Sequence, residues 1–396
     1  MNLFILPAWY PQNEKDVTAC FFREQAQALS KRGHLVTVIH IKPLSFTKIF
    51  RAKWHSKRIW QDGEIRTVFH QVIVPIPGKF NRLQNWYLLR LYYHIIKKQI
   101  KADEKNGMSK PDILHGHVSH SCAYYGLHAA RKLDLPYVVT EHYSGLLLGT
   151  ASKEDYARVR ETILLSDAFL FVGSNFQTQI CKKFGIQKQT YVVPNMLTVA
   201  DFSFDKKEKT EAFTFLSACH LTENKSIDKV ISAFHEAFPN DSSKKLVIAG
   251  DGALRGKLEQ FVRQLGETER ITFFGRYGRE QVNDIFGKAD CFVLTSQVET
   301  FGIVYLEAMA CGLPCIGTKG QGAEDIITEE NGIKISYGNQ QELVAAMRFM
   351  AEHREKYNRE KIHQDCDQRF SEESVCRQIE EIYQQVLDCH SHHSNV

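Results

Sequence analysis

The chain has 396 residues, 43% hydrophobic and 24% charged side chains, and a formal net charge of +4. That is enough for two domains of ordinary size, with the balance of a globular protein and no global charge that calls for nucleic acid. No run of 18 apolar residues occurs, so no transmembrane helix is expected. The opening "MNLFILPAWYP" has no basic leader and is interrupted by Pro7, so it reads as a first buried strand rather than a signal peptide.

From there, short apolar runs alternate with helical patterns, the sign of parallel βαβ units. The helix "TACFFREQAQALSKRG" stops at Gly33 and leads into "LVTVIHI". Later strands are "DILHGHV", "YVVTEH", "AFLFVGS" and "QTYVVPNM". A polar stretch from Asp201 to Glu211 reads as a linker. A second series follows: "FTFLSAC", "KLVIAGDG", "ITFFGR", "CFVLTS", "PCIGT" and "GIKIS". The pattern predicts two doubly wound α/β domains facing a cleft, residues 1–200 and 201–375. Residues 376–396 form a C-terminal helix that crosses back to the first domain, with Ser371 as its cap, and a disordered tail "HSHHSNV".

Phe46 to Asn106 departs from the rest, with thirteen Lys or Arg against four Asp or Glu, and with Trp54, Trp60, Phe80, Trp86, Tyr87, Tyr92 and Tyr93 interleaved. Two readings stand: a surface for a membrane or an anionic acceptor, or a solvated basic face over an ordinary core. No nucleic-acid motif accompanies the charge. The ten cysteines form no CxxC and sit mostly in apolar segments, which points to free thiols in a reducing cytoplasm.

The chemistry concentrates in "SQVETFGIVYLEAMACGLPCIG", Ser296 to Gly317. A strand ends near Ser296 and a helix starts around Phe301 or Gly302, so the backbone N–H groups of residues 301 to 304 form an anion site. Glu299 precedes that helix and Glu307 lies within it. An all-helical path would separate them by ~12 Å, about the span of a nucleotide sugar from sugar to ribose. Two glutamates without a shared ligand fit the same spacing.

The E-x7-E pattern, "AMACGLP", the upstream "HLTENK" and "AGDG", and in the first half "AWYP", "HGH", "TEH" and "VVPN" together resemble the retaining glycosyltransferases of the family 4 type, which have the GT-B fold. The resemblance covers nearly the whole chain. It implies an acceptor side in the first domain and a nucleotide-sugar donor side in the second. Lys225 then pairs with the donor diphosphate, Glu299 bonds the sugar hydroxyls, and Glu307 bonds the ribose. Phe301, Gly302 and Ile303 offer backbone N–H groups, and Arg276 lies beside the base. His142, at a strand end in the first domain, contacts the donor sugar, while His115 and His117 are core histidines. His220 stands where the family has arginine, Ser226 where it has glycine, and Ala19 where a phosphate loop has glycine. That loop and Tyr10 are therefore assigned to the acceptor.

The implied reaction is metal-independent transfer of a hexosyl or N-acetylhexosaminyl group, with retention, from a UDP- or GDP-linked sugar to a glycan or lipid-linked hydroxyl. It would serve cell-surface polysaccharide or glycoconjugate synthesis, in the cytoplasm or at the inner face of its membrane. There is no cofactor and no nucleic-acid partner. The competing readings are a nucleotide-sugar epimerase and a catalytically impaired sugar-nucleotide-binding protein; His220 supports the latter.

Overall fold

A computed structural model describes residues 1–11, 20–48, 53–77, 80–202 and 212–393. The chain gathers into two compact units. One comprises Met1–Val172, Gln179–Val193 and Val375–Val396; the other comprises Gly173–Thr178 and Pro194–Ser374.

The first unit holds an eight-stranded sheet: β1 (Asn2–Leu6), β2 (Leu35–Ser45), β3 (His55–Asp62), β4 (Ile65–Val74), β5 (Ile113–His117), β6 (Tyr137–Glu141), β7 (Ala168–Phe171) and β8 (Tyr191–Val192). Their order is β3-β4-β2-β1-β5-β6-β7-β8. Strands β1, β5, β6 and β7 are buried at every residue, as befits parallel strands covered by helices on both faces. The exception to parallel pairing is β3, which returns antiparallel along β4 from a turn at Asp62–Ile65. That hairpin lies in the basic segment, where no strand was expected. Strand β3 is an edge strand with both faces largely in water, whereas β4 is paired on both sides and largely buried.

The rest of the basic segment is the 25-residue helix Asn81–Lys105. It buries Leu88, Tyr92, Ile95, Ile96 and Ile100 at helical spacing. Phe80, Leu83 and Trp86 recur every three residues at its start and stay about half exposed, as do Trp54 and Ile59 in and beside β3. Arg90 stacks over Trp86, 4.3 Å from the ring centre. The segment thus supplies core on one side and an exposed apolar, basic face on the other.

The second unit has six parallel strands: β9 (Phe213–Ala218), β10 (Lys244–Ala249), β11 (Ile271–Gly275), β12 (Cys291–Leu294), β13 (Cys315–Thr318) and β14 (Gly332–Ile335). Their order is β11-β10-β9-β12-β13-β14. Each sheet reverses its winding once, between β1 and β5 in the first and between β9 and β12 in the second. At such switch points the loops leaving the two strands diverge and open a crevice at the carboxyl ends.

The C-terminal helix runs Glu372–His393, and Ser371 Oγ accepts the Ser374 N–H at 3.4 Å. The helix therefore continues into the stretch expected to be disordered. Its apolar spacing carries it onto the first unit, where Tyr383 is fully buried and bonds His115 at 2.6 Å. There Glu380 also takes both guanidinium bonds of Arg32 and a contact from His34. Of the expected linker, Asp201 closes a short 3-10 turn, Val199–Asp201, and residues 203–211 lie outside the described residues. All ten cysteines are free thiols. Among the described residues, no helix is long and apolar enough to cross a membrane.

Candidate active site

In the second unit the loops after β9, β10 and β11 are laced together by backbone. Gly250 N–H donates to the Gly275 carbonyl at 2.7 Å, and Leu221 N–H donates to Asp251 O at 3.0 Å. Gly250 has φ +122°, and a Cβ there would lie 1.9 Å from the Cys219 carbonyl oxygen. Only glycine lets these strand ends approach so closely. The lacing sets His220, Asp251 and Arg276 at one end of the sheet. His220 is exposed. Arg276 is largely exposed, with its Nε 3.4 Å from Asp251 Oδ2.

At the switch point, the turn Glu223–Lys225 after β9 meets the loop after β12. Asn224 fastens them: its amide donates to Val298 O at 2.9 Å, its Oδ1 accepts the Val298 N–H at 3.0 Å, and its carbonyl accepts from Gln297 at 2.8 Å. On that mounting Lys225 Nζ reaches Glu299 Oε2 at 2.5 Å. Both side chains are mostly covered, at 19% and 16% exposure, so the pair is only partly screened. Glu299 is further fixed through its backbone, with its N–H on Gln321 Oε1 and its carbonyl accepting from Gly322. Cys219 sits beside the pair; burial, with the Glu299 charge adding and Lys225 opposing, pushes its thiol up to about 12.

The helix expected near Phe301 begins at Ile303 and runs to Ala310. Gly302 precedes it at φ +93°, a left-handed start that a larger residue could adopt only with strain. Because the chain is not helical before residue 303, the all-helical spacing estimated for Glu299 and Glu307 does not hold. Phe301 is buried against Phe370, so only its backbone is a candidate contact. Glu307 lies mid-helix, and after burial its charge is the next cause raising the Tyr277 phenol. That electrostatic coupling relates Glu307 to the loop carrying Arg276. Asp365 and Asp367, in the helix Arg359–Phe370, are remote from this chemistry in sequence, and Asp365 is bonded to Asn331 and Arg369. Among the described residues, no three His, Cys, Asp or Glu side chains gather as a cation site.

In the first unit His142 follows β6. Glu141, fully buried, accepts the N–H groups of His142 and Tyr143 at 2.8 Å each and that of Ser119 at 2.9 Å, as well as the Ser119 hydroxyl. Those donors compensate the buried carboxylate and fix the His142 backbone. The His142 ring packs edge-on to Phe22 and 3.1 Å from His117 Nδ1. His115 bonds Tyr383 and Thr140 with its two nitrogens, as a satisfied core histidine does. Tyr10 is buried, and Ala19 lies outside the described residues.

Three positioning residues escaped sequence reasoning: Asn224, Gln321 and Glu141. Asn224 and Glu141 were legible only as neighbours of Lys225 and His142. Gln321, 22 residues beyond Glu299, left no local sign.

Two family models match in tandem. Residues 21–200 fit the model Glycosyltransferase Family 4, and residues 199–363 fit Glycosyl transferases group 1. The chain belongs to this family of glycosyltransferases. It is 26% identical over 228 residues to the N-acetyl-alpha-D-glucosaminyl L-malate synthase of Bacillus anthracis, covering 57% of this chain and 58% of the relative. It is 23% identical over 296 residues to the alpha-monoglucosyldiacylglycerol synthase of Streptococcus pneumoniae, covering 65% of each. The matches therefore span less than two thirds of these relatives' lengths. Among solved structures, Anabaena HepE in complex with UDP superposes with a TM-score of 0.71 at 16% identity, covering 97% of this chain and all of that one. At that identity the likeness speaks for the GT-B fold alone.

Proposed function

We propose that the protein transfers a hexosyl or N-acetylhexosaminyl group, with retention, from a UDP- or GDP-linked sugar to a hydroxyl of a glycan or lipid-linked acceptor. The observation that carries this reading is the Lys225–Glu299 pair, mounted by Asn224 at the switch point just before Gly302 and the helix Ile303–Ala310. An ammonium and a helix N-terminus side by side suit a diphosphate whose charge grows as the sugar leaves. A carboxylate in contact with that ammonium suits sugar hydroxyls.

On donor binding, Lys225 exchanges part of its contact with Glu299 for phosphate oxygen, and Glu299 accepts from the sugar. Glu307 is assigned to the ribose, the backbone N–H groups of Phe301, Gly302 and Ile303 to sugar or phosphate, and Arg276 and His220 to the base and phosphate region. His142 is assigned to the sugar. The acceptor hydroxyl attacks on the face from which the nucleotide departs, and the leaving phosphate oxygen takes its proton. No protein base and no metal is assigned a role. Residues 1–200 are assigned to the acceptor and 201–375 to the donor.

Cell-surface glycoconjugate synthesis at the inner membrane face is the setting proposed, supported by the half-exposed Phe80, Leu83 and Trp86 among basic residues. The names of the relatives include both a glucosylated diacylglycerol and an N-acetylglucosaminyl malate.

A thermal-shift screen against UDP- and GDP-sugars tests the donor. At least one should raise the melting temperature, since a ligand of the folded state stabilises it. No shift at millimolar concentration with any of them overturns the reading. Anomeric analysis of the product by NMR tests retention. Co-sedimentation with anionic liposomes at low salt tests the membrane contact, and protein left wholly in the supernatant removes it.

A further inference from the structure

Packing alone does not account for His117. It is the last residue of β5 and is 0% exposed, a place that an apolar side chain fills at no polar cost. Its ring stacks on His115, with centres 4.4 Å apart, and tilts against His142 at 5.3 Å. Phe22 packs on it at 4.9 Å.

His115 and His117 share one face of β5, and both were expected as core histidines. They differ in how they are satisfied. His115 pairs both ring nitrogens, one with Tyr383 and one with Thr140. His117 pairs one. Its Nδ1 lies 3.1 Å from His142 Nε2, while its Nε2 is buried and has no hydrogen-bond partner. An unpaired buried nitrogen is costly. Such a cost, kept beside a residue assigned to the sugar, marks a functional constraint.

The protons on the pair can be counted. Burial, with His115 and His142 adding, holds the His117 ring well below the ordinary 6.5, so the ring is neutral. A neutral imidazole has one N–H and one bare nitrogen. Two ring nitrogens 3.1 Å apart form a hydrogen bond only when one of them carries a proton and the other does not. His117 Nδ1 and His142 Nε2 are therefore in opposite states. In neutral His142 the state of Nε2 also decides that of Nδ1. The other titratable groups here are already engaged. Glu141 is saturated by Ser119, His142 and Tyr143, and the Cys122 thiol donates to the His117 carbonyl at 2.9 Å. The same Glu141 bonds fix the His142 backbone, so the ring cannot follow a shifted partner by moving its main chain.

We infer that His117 is a positioning residue: it holds His142 in a single ring tautomer and so fixes which His142 nitrogen donates and which accepts. Its bearing on transfer rests on the assignment of His142 to the sugar; the tautomer itself does not.

Long-range proton–nitrogen NMR on the full chain, with isotope-labelled histidine, reads ring tautomers directly. The signals of His142 are those lost in His142→Gln. Above about pH 8, where a free imidazole is neutral, the parent His142 should show one tautomer. In His117→Gln, whose amide falls at the Nε2 position, His142 should become a mixture. In His117→Asn, whose amide falls at the Nδ1 position and can pair with His142, the single tautomer should return. Turnover should fall about tenfold or more in His117→Gln, as when a group that orients a histidine is lost, and recover in His117→Asn. A purely structural His117 would be impaired by both variants in step with their melting temperatures. A tautomer mixture at His142 in the parent overturns the inference without any variant. So does a single tautomer, or full turnover, that survives in His117→Gln, or a failure of His117→Asn to restore either. The nucleotide-sugar thermal shift on the same samples separates the two readings. A single tautomer controlled by His117 in a protein that binds no donor defeats only the transferase reading; a donor-binding protein with mixed His142 tautomers defeats only this inference.

Discussion

The two switch points are built from different materials. In the second unit the crevice is assembled from backbone brought close by Gly250, from a left-handed turn at Gly302, and from the Lys225–Glu299 salt bridge. In the first unit the crevice is lined by bulky side chains, Trp9, Tyr10, His40 and His120, around a cavity. On the proposed function, backbone and ion pairs in the second unit would recognise what nucleotide-sugar donors share, and side chains in the first would recognise what differs from one acceptor to the next. That would make the second unit the general half of the chemistry and the first the particular half.

The most damaging way to test the general half is Lys225→Ala, which should lower kcat by about 10²–10³-fold, the usual loss when one electrostatic donor to a developing anion is removed. Steady-state kinetics reads it, and retained turnover would remove Lys225 from the site. Gly250→Ala comes next. Its Cβ would meet the Cys219 carbonyl and its φ is unfavourable for alanine, so a loss of about 3 kcal/mol or more is expected in denaturant titration. A milder cost would mean the laced loops are adjustable.

Acid should tell the units apart. Burial holds His40 and His70 at about 4 and His115 at about 3, all below the ordinary 6.5, with His55, Lys57 and Lys98 adding to the His70 shift. The unfolded chain takes up these protons first. Stability of the first unit is therefore complete above about pH 6.5 and falls as the pH drops toward 4. In the second unit, burial works against the Glu267 carboxylate, but Arg270 and His235 outweigh it; Glu324 is held down by the Gly320 N–H and Lys334. Their contribution is present above about 4.5 and is lost only below it. Limited proteolysis across this range should cut the first unit at a higher pH than the second.

The smallest effect is at Ser226, a serine at φ +50°. Ser226→Gly should relieve left-handed strain and raise stability by about 0.5–1 kcal/mol, net of the added freedom of the unfolded chain.

The same contrast explains what could be read in advance. Two parallel-sheet domains, the strands of the second series and the loop around Glu299 were all legible, because period-two runs, glycines and an E-x7-E spacing are local. The antiparallel hairpin β3–β4 was not: β3 is mostly exposed and charged, and β4, though largely buried, lies within the basic segment whose charge drew the reading to a surface. Nor was the extension of the last helix through His390 to His393, where polar composition had suggested disorder. The contact of Lys225 with Glu299 spans 74 residues and the Gln321 bond to Glu299 spans 22, distances over which pattern says nothing. His40 looked like any residue of a buried strand; what distinguishes it is a buried ring nitrogen, Nδ1, without a hydrogen-bond partner, which only the three-dimensional structure reveals.

The last helix has a consequence for how the protein is made. His115 in the first unit finds Tyr383 only when that helix is present. During synthesis β1 to β8 emerge early, yet their final partner is nearly 200 residues further along. At about 5–20 residues per second that is a wait on the order of 10–40 seconds. Through that interval the nascent first unit carries an uncovered seam where the residue 375–393 segment belongs. It is the point at which a chaperone, or an aggregation partner, would find the growing chain.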